Sequence, residues 1–138
     1  MSVFQGMAIS TSALTAEKLH LDIIANNIAN IESTRTPEGG PYQRKVAVFE
    51  ELVENEVKKT ASTGRGVHLK EVVADEVTPY RVKEEPNHPD ADQDGNVLYP
   101  NVDLTGELID MITAQRSYQV NAYVYTASRT VIEKALEI

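Results

Sequence analysis

The sequence predicts an α+β chain in which an N-terminal and a C-terminal helix pair as a coiled coil, with a small antiparallel β domain inserted between them. Three observations predict it. Residues 1–34 and 101–138 contain no proline, whereas residues 37–100 hold all six prolines and five of the seven glycines. Apolar residues recur with helical spacing in both end segments. Between them, short alternating runs are separated by Gly, Pro and Asp-Gly turns. The expected divisions are therefore 1–34, an N-terminal helix; 35–100, a β-rich part; and 101–138, a C-terminal helix.

In the first segment Met7, Leu14, Leu21 and Ile28 share one heptad position, and Ile24 and Ile31 occupy its intermediate position. That spacing makes a coiled-coil seam, interrupted by Ser10 and Glu17. Ile9, Ala16, Leu19 and Ile23 fall on the side or back of the same helix, which therefore expects neighbours on more than one side.

The middle segment reads as strands. Tyr42 to Leu52 is a strand or a strand followed by a turn, Thr60 to Gly66 is a loop, and Val67 to Asp75 is the next strand. Tyr80 to Lys83 and Asn96 to Tyr99 flank a turn-rich stretch that ends in Asp94-Gly95, a strong hairpin signal.

The last segment carries two stripes. Leu104, Leu108, Met111, Tyr118, Ala122, Tyr125 and Leu136 form one, which is assigned to the N-terminal helix. Ile109, Val120, Val124, Ala127, Val131, Ala135 and Ile138 form the other, roughly 120–180° around the helix. Asp103 is placed to cap the helix, and Glu107 lies in its first turn, where the helix dipole favours an acid. Two stripes need two sets of partners. A compact domain whose middle segment covers the second stripe is the competing arrangement, and periodicity leaves it open.

Composition excludes several functions. The 13 Lys and Arg against 21 Asp and Glu give a net charge of −8, the wrong sign for binding a nucleic-acid backbone. Cysteine is absent, so disulfides, thiolate metal sites and cysteine nucleophiles are excluded. Tryptophan is also absent, and His20, His68 and His88 lack metal-ligand spacing. No stretch has the sustained apolarity of a membrane span. The first Lys or Arg is Lys18, which makes a poor secretory signal. Any export is expected to use a route that reads no cleavable signal.

One pattern resembles a chemical site. Asp90, Asp92, Asp94 and Gly95 match the opening of a calcium-binding loop, where alternate carboxylates face one hard cation. The closing glutamate is replaced by Asn101, and Pro86, Pro89 and Pro100 forbid the paired helices such a loop joins. His88 has no candidate nucleophile, and Gly64-Arg65-Gly66 precedes a strand where a phosphate loop would precede a helix. A small calcium-responsive module is the rival reading, and an enzyme of unknown chemistry comes third.

The segment Ala25-Asn26-Asn27-Ile28-Ala29-Asn30 is more informative. Asparagine costs up to about 0.7 kcal/mol in a helix relative to alanine, so three in so short a run need a reason. Asn26 and Asn30 fall opposite the Ile28 seam, where their amides suit a close contact with another backbone or helix. A fraying helix end is the plainer alternative.

These residues are similar to the N-terminal signature of bacterial flagellar axial proteins, the rod, hook and hook-associated subunits. Leu108 to Ala122 resembles the matching C-terminal helix of that family. Thr36 to Lys45, His88 to Asp92 and Tyr99 to Asp103 resemble one branch of it, the proximal rod subunits. The resemblance implies a structural subunit that polymerises through its terminal helices into the drive shaft that transmits torque. It also implies export through the flagellar type III apparatus, without a cleaved signal, to the basal body in the periplasmic space. The implied partners are other rod subunits, neighbouring basal-body proteins and further copies of the chain. It implies no reaction, cofactor, metal, nucleic acid or direct membrane insertion. The residues expected to pack subunits are Leu21, Ile24 and Ile28, the amides of Asn26, Asn27 and Asn30, and Leu108, Met111, Tyr118, Val120, Val124 and Val131.

Overall fold

The computed structural model describes residues 2–53 and 64–138. Two long helices frame two small sheets. Helix α1 spans Val3–Ala29, and Ser2 caps it by accepting from the Gln5 N–H at 3.2 Å. Strands β1 (Lys45–Glu51) and β2 (Val67–Ala74) pair antiparallel, with a bulge between Val48 and Phe49. Strands β3 (Arg81–Glu84) and β4 (Asn96–Tyr99) pair antiparallel in a separate sheet. Helix α2 spans Leu104–Leu136 and is capped by Asp103, whose carboxylate accepts from the Gly106 N–H at 2.9 Å.

The α+β architecture and the four strands agree with the expectation; the single inserted sheet becomes two ribbons. The expected loop from Thr60 to Gly66 lies largely outside the described residues. The end of α1 comes earlier than residue 34, because Asn30 closes it. The Asn30 amide donates to the Asn26 carbonyl and side-chain oxygen at 2.9 and 2.8 Å, satisfying a carbonyl of the last turn.

Helix α1 supports three other elements: α2 packs along it, and so do both strands of the β1–β2 ribbon. Its heptad seam is half-buried at Met7, Leu14, Leu21, Ile28 and Ile31 and fully buried at Ile24. Ser10 and Asn27 are buried too, so the contact tolerates small and polar residues where the heptad pattern asks for large apolar ones.

The ribbon approaches α1 closely at Gly66. This residue has φ +123°, and a Cβ there would collide with the Ser12 hydroxyl. That hydroxyl accepts from the Val67 N–H at 3.1 Å while donating to the Ile9 carbonyl at 2.7 Å. Gly66→Ala should therefore cost about 2 kcal/mol through backbone strain and the displaced hydrogen bond. Gly6→Ala, in helix α1 with open space around it, should stabilise by up to about 1 kcal/mol. Urea unfolding of the two variants beside the parent checks both signs.

On α2 the inward line runs through Glu107, Met111, Ala114, Asn121, Tyr125, Ser128 and Ile132, all buried or half-buried. This corrects the assignment of Leu108 to the stripe beneath the N-terminal helix: Leu108 is 44% exposed. The inward line keeps Met111 and Tyr125 of the expected stripe but is centred about 60° away from it, on the side of Glu107. Leu104 is exposed for the same reason, whereas Leu136, in line with Glu107, is exposed as the last residue of α2. On the opposite face, Ile109, Ile112, Val120, Tyr123, Val124 and Val131 are exposed, and among the described residues no strand packs on α2. Among the described residues the middle segment covers α1 and leaves the second α2 stripe open, against the compact-domain alternative.

Candidate packing surface and its buried hub

The end of α1, the start of β1 and the start of α2 meet at Asn27, which is 0% exposed. Its side-chain oxygen accepts from the Tyr42 hydroxyl and the Lys45 N–H, each at 2.9 Å. Its side-chain nitrogen donates to the Lys45 carbonyl at 2.9 Å and to Glu107 Oε2 at 3.2 Å. One amide thus joins three elements with every hydrogen-bonding position used.

Glu107 is 1% exposed, far more enclosed than a first-turn acid facing the helix dipole would be. Its second oxygen meets Arg44 Nε at 2.5 Å. The guanidinium also reaches Asp75 at 3.4 Å and Asp110 at 3.6 Å. Burial works to lower the Arg44 pKa, yet the hydrogen bond and charge of Glu107, followed by those of Asp75, outweigh it and hold the guanidinium above its ordinary value. Burial first, and then the Glu107 charge, push the Tyr42 phenol up.

Asn101, also buried, extends the network. Its oxygen accepts from the Arg44 N–H at 2.7 Å, and its nitrogen donates to the Asp75 and Thr78 carbonyls at 2.9 and 3.0 Å. Asp75 in turn accepts from the N–H groups of Val77 and Thr78 and from the Thr78 hydroxyl. The hydrogen bonds from Thr78, then that from Val77 and the Arg44 charge, hold the Asp75 carboxyl below its ordinary range despite burial. Because the folded value lies below the unfolded one, near 3.9, ionised Asp75 stabilises the fold at neutral pH. That contribution is lost as pH falls through the folded value. Asp75→Asn should therefore be less stable than the parent at pH 6, with the gap closing as pH falls below the ordinary carboxylate range. Urea midpoints across that range test it, and a constant gap would contradict it.

The remaining asparagines differ in place. Asn26 is exposed, and Asn30 is half-buried with its oxygen accepting from the Ser33 hydroxyl at 3.1 Å. Asn27 lies wholly inside the chain. Leu21 and Ile28 are half-buried, and Ile24 is buried, in the body of α1. Met111 faces inward and Tyr118 lies at the rim of the inward line. Val120, Val124 and Val131 lie on the open face, at 62%, 41% and 56% exposure.

The acidic turn is built for its own backbone. Asp90 is held by the Thr34 hydroxyl at 2.8 Å and by the Arg35 guanidinium. Asp92 accepts from the N–H groups of Asp94 and Asn96, each at 2.9 Å, and Gly95 turns the chain at φ +80°. Thr34 first, and then Arg35, keep the Asp90 carboxyl below its ordinary range. His88 accepts from the Asp90 N–H at 3.0 Å. Among the described residues no three His, Asp or Glu side chains group where they could hold a metal ion.

Tyr42, Arg44, Asn101 and the burial of Glu107 escape periodicity, because each is polar and stands outside an apolar stripe. One signal was available: Tyr42 to Arg44 and Asn101 lie inside the segments that carry the branch resemblance.

Comparison with known proteins gives matches at both ends and along the full length. Residues 7–35 match the model described as "Flagella basal body rod protein", and residues 93–138 match "Flagellar basal body rod FlgEFG protein C-terminal". The chain is 37% identical to the flagellar basal-body rod protein FlgC of Borreliella burgdorferi, covering 100% of this chain and 98% of the relative. It is 31% identical to the protein of that name from Bacillus subtilis, over 100% and 99% of the two chains. The Aquifex aeolicus protein is 34% identical over 99% and 97%.

Proposed function

The chain belongs to the FlgC family of flagellar basal-body rod proteins, and on that premise we propose that it packs into the rod through the outer face of α2 and the exposed end of its N-terminal motif. It is a structural subunit of the basal-body rod and not an enzyme. The observation that carries the packing mode is the open stripe of Ile109, Ile112, Val120, Tyr123, Val124 and Val131 along α2. Large apolar side chains exposed in a row along one helix face, here interrupted at Arg116, are a mark of an interaction site. Burying it against neighbouring copies and other rod proteins supplies the association energy that a torque-bearing shaft needs.

In this reading the paired helices face the inner tube of the proximal rod, and residues 35–100 form its outer part. Asn26 meets a neighbouring subunit, whereas Asn27 holds the subunit together. Passage through the type III export apparatus precedes assembly. No helix among the described residues is long and apolar enough to cross a membrane, in keeping with a rod subunit that is not inserted.

Gene deletion followed by complementation tests the function. The deletion strain should lack filaments and swim again when this chain is supplied; filaments in the deletion strain would overturn it. Asn26→Ala should leave the subunit folded, since alanine is the better helix former, yet reduce swimming. Normal swimming would remove Asn26 from the packing surface.

A further inference from the structure

The fully buried positions of the two helices are Ser10, Ala16, Ile24 and Asn27 on α1 and Glu107 and Ala114 on α2. Ile24 is the one large apolar side chain among them. Small residues at a helix contact define its axial offset poorly, because a slip of one turn replaces one shallow contact by another. Polar groups inside a helix pair behave differently: a single buried amide selects one register, since every other register strands it.

We propose that the Asn27–Glu107–Arg44 cluster is the device that sets the register of α1 against α2. Asn27 and Glu107 are 80 residues apart in sequence and meet at 3.2 Å. A slip of one turn, about 5.4 Å, would break that bond and pull Glu107 from Arg44. It would leave a carboxylate and an amide buried without partners. The same amide is bound to both backbone groups of Lys45, so the start of the β1–β2 ribbon is locked to the chosen register. Register has a functional consequence that rests on the rod reading: the open α2 stripe and the outer side of α1 must keep one offset in every copy for identical contacts to repeat.

The chain has no cysteine, so two can be introduced cleanly. Thr11→Cys and Thr105→Cys, both at exposed positions and offset by about 27 Å along the helix pair, carry spin labels, and the inter-label distance reads the register. The parent should give one narrow distance. Asn27→Leu/Arg44→Met/Glu107→Leu should unfold at the same temperature or higher, yet show two or more distances separated by about 5 Å. A second variant guards against failure of that one to fold. Glu107→Ala/Met111→Glu moves the carboxylate four residues along α2 and should shift the distance by about 6 Å. A single parental distance in either variant, or a broad distribution in the parent, overturns the proposal whatever the strains do. Failure of the unmodified chain to restore swimming would instead overturn the rod reading.

Discussion

Replacing Glu107 by alanine lowers the unfolding free energy of the subunit by about 3 kcal/mol, the cost of removing one partner from a buried ion pair. Arg44 keeps weaker contacts with Asp75 and Asp110, at 3.4 and 3.6 Å, and its side chain retains 26% exposure, which holds the loss at the lower end of that range. The Asn27 amide loses one acceptor but keeps the Lys45 carbonyl. Glu107→Gln, which retains an oxygen for Asn27 but not the charge for Arg44, should fall between variant and parent. Removing both charges, as Arg44→Met/Glu107→Leu, should recover most of the loss, because apolar groups of similar volume replace a buried pair at little cost. Urea unfolding of the parent, Arg44→Met, Glu107→Leu and the double variant completes a double-mutant cycle. Equal and additive losses for Arg44→Met and Glu107→Leu would mean that the pair is not coupled.

Val120→Asp abolishes motility while leaving the free subunit intact. Val120 is 62% exposed, so an aspartate there meets water and should change unfolding by less than about 0.5 kcal/mol. In the assembled rod the same carboxylate enters an apolar contact, at a cost of several kcal/mol unless it finds a proton or a partner. Every copy carries it, so the cost recurs along the shaft. Ala114→Asp supplies the contrast: Ala114 is buried on the inward line of α2, and a carboxylate there should destabilise the free subunit as well. Leu108 and Val124 make a poorer comparison, because both are about two-fifths exposed in the free chain. Thermal unfolding and complementation of the two aspartate variants decide the matter. Normal swimming by the Val120→Asp strain would remove the outer α2 face from the rod contact.

Asp103 and Asn96 to Tyr99 show what local sequence can determine. A capping aspartate and a short alternating run after Asp-Gly are decided by neighbours a few residues away, and both stand where the pattern puts them. The α+β order and the second stripe of α2 follow in the same way, from prolines that exclude helix and from the 3.6-residue period. The end motifs also carry the family, and with it the rod. The inward line of α2 is legible at Met111 and Tyr125 but not at Glu107, Ala114, Asn121 and Ser128, which no apolar period marks. The hub was hidden for a related reason. A glutamate can be buried only where an arginine and an amide arrive to receive it, and Arg44 and Asn27 lie 63 and 80 residues away in the chain. The role of Asn27 likewise could not be separated from those of Asn26 and Asn30 by composition. All three are asparagines on one helical turn, and only the packing of β1 and α2 against one side of that turn buries one and leaves another in water.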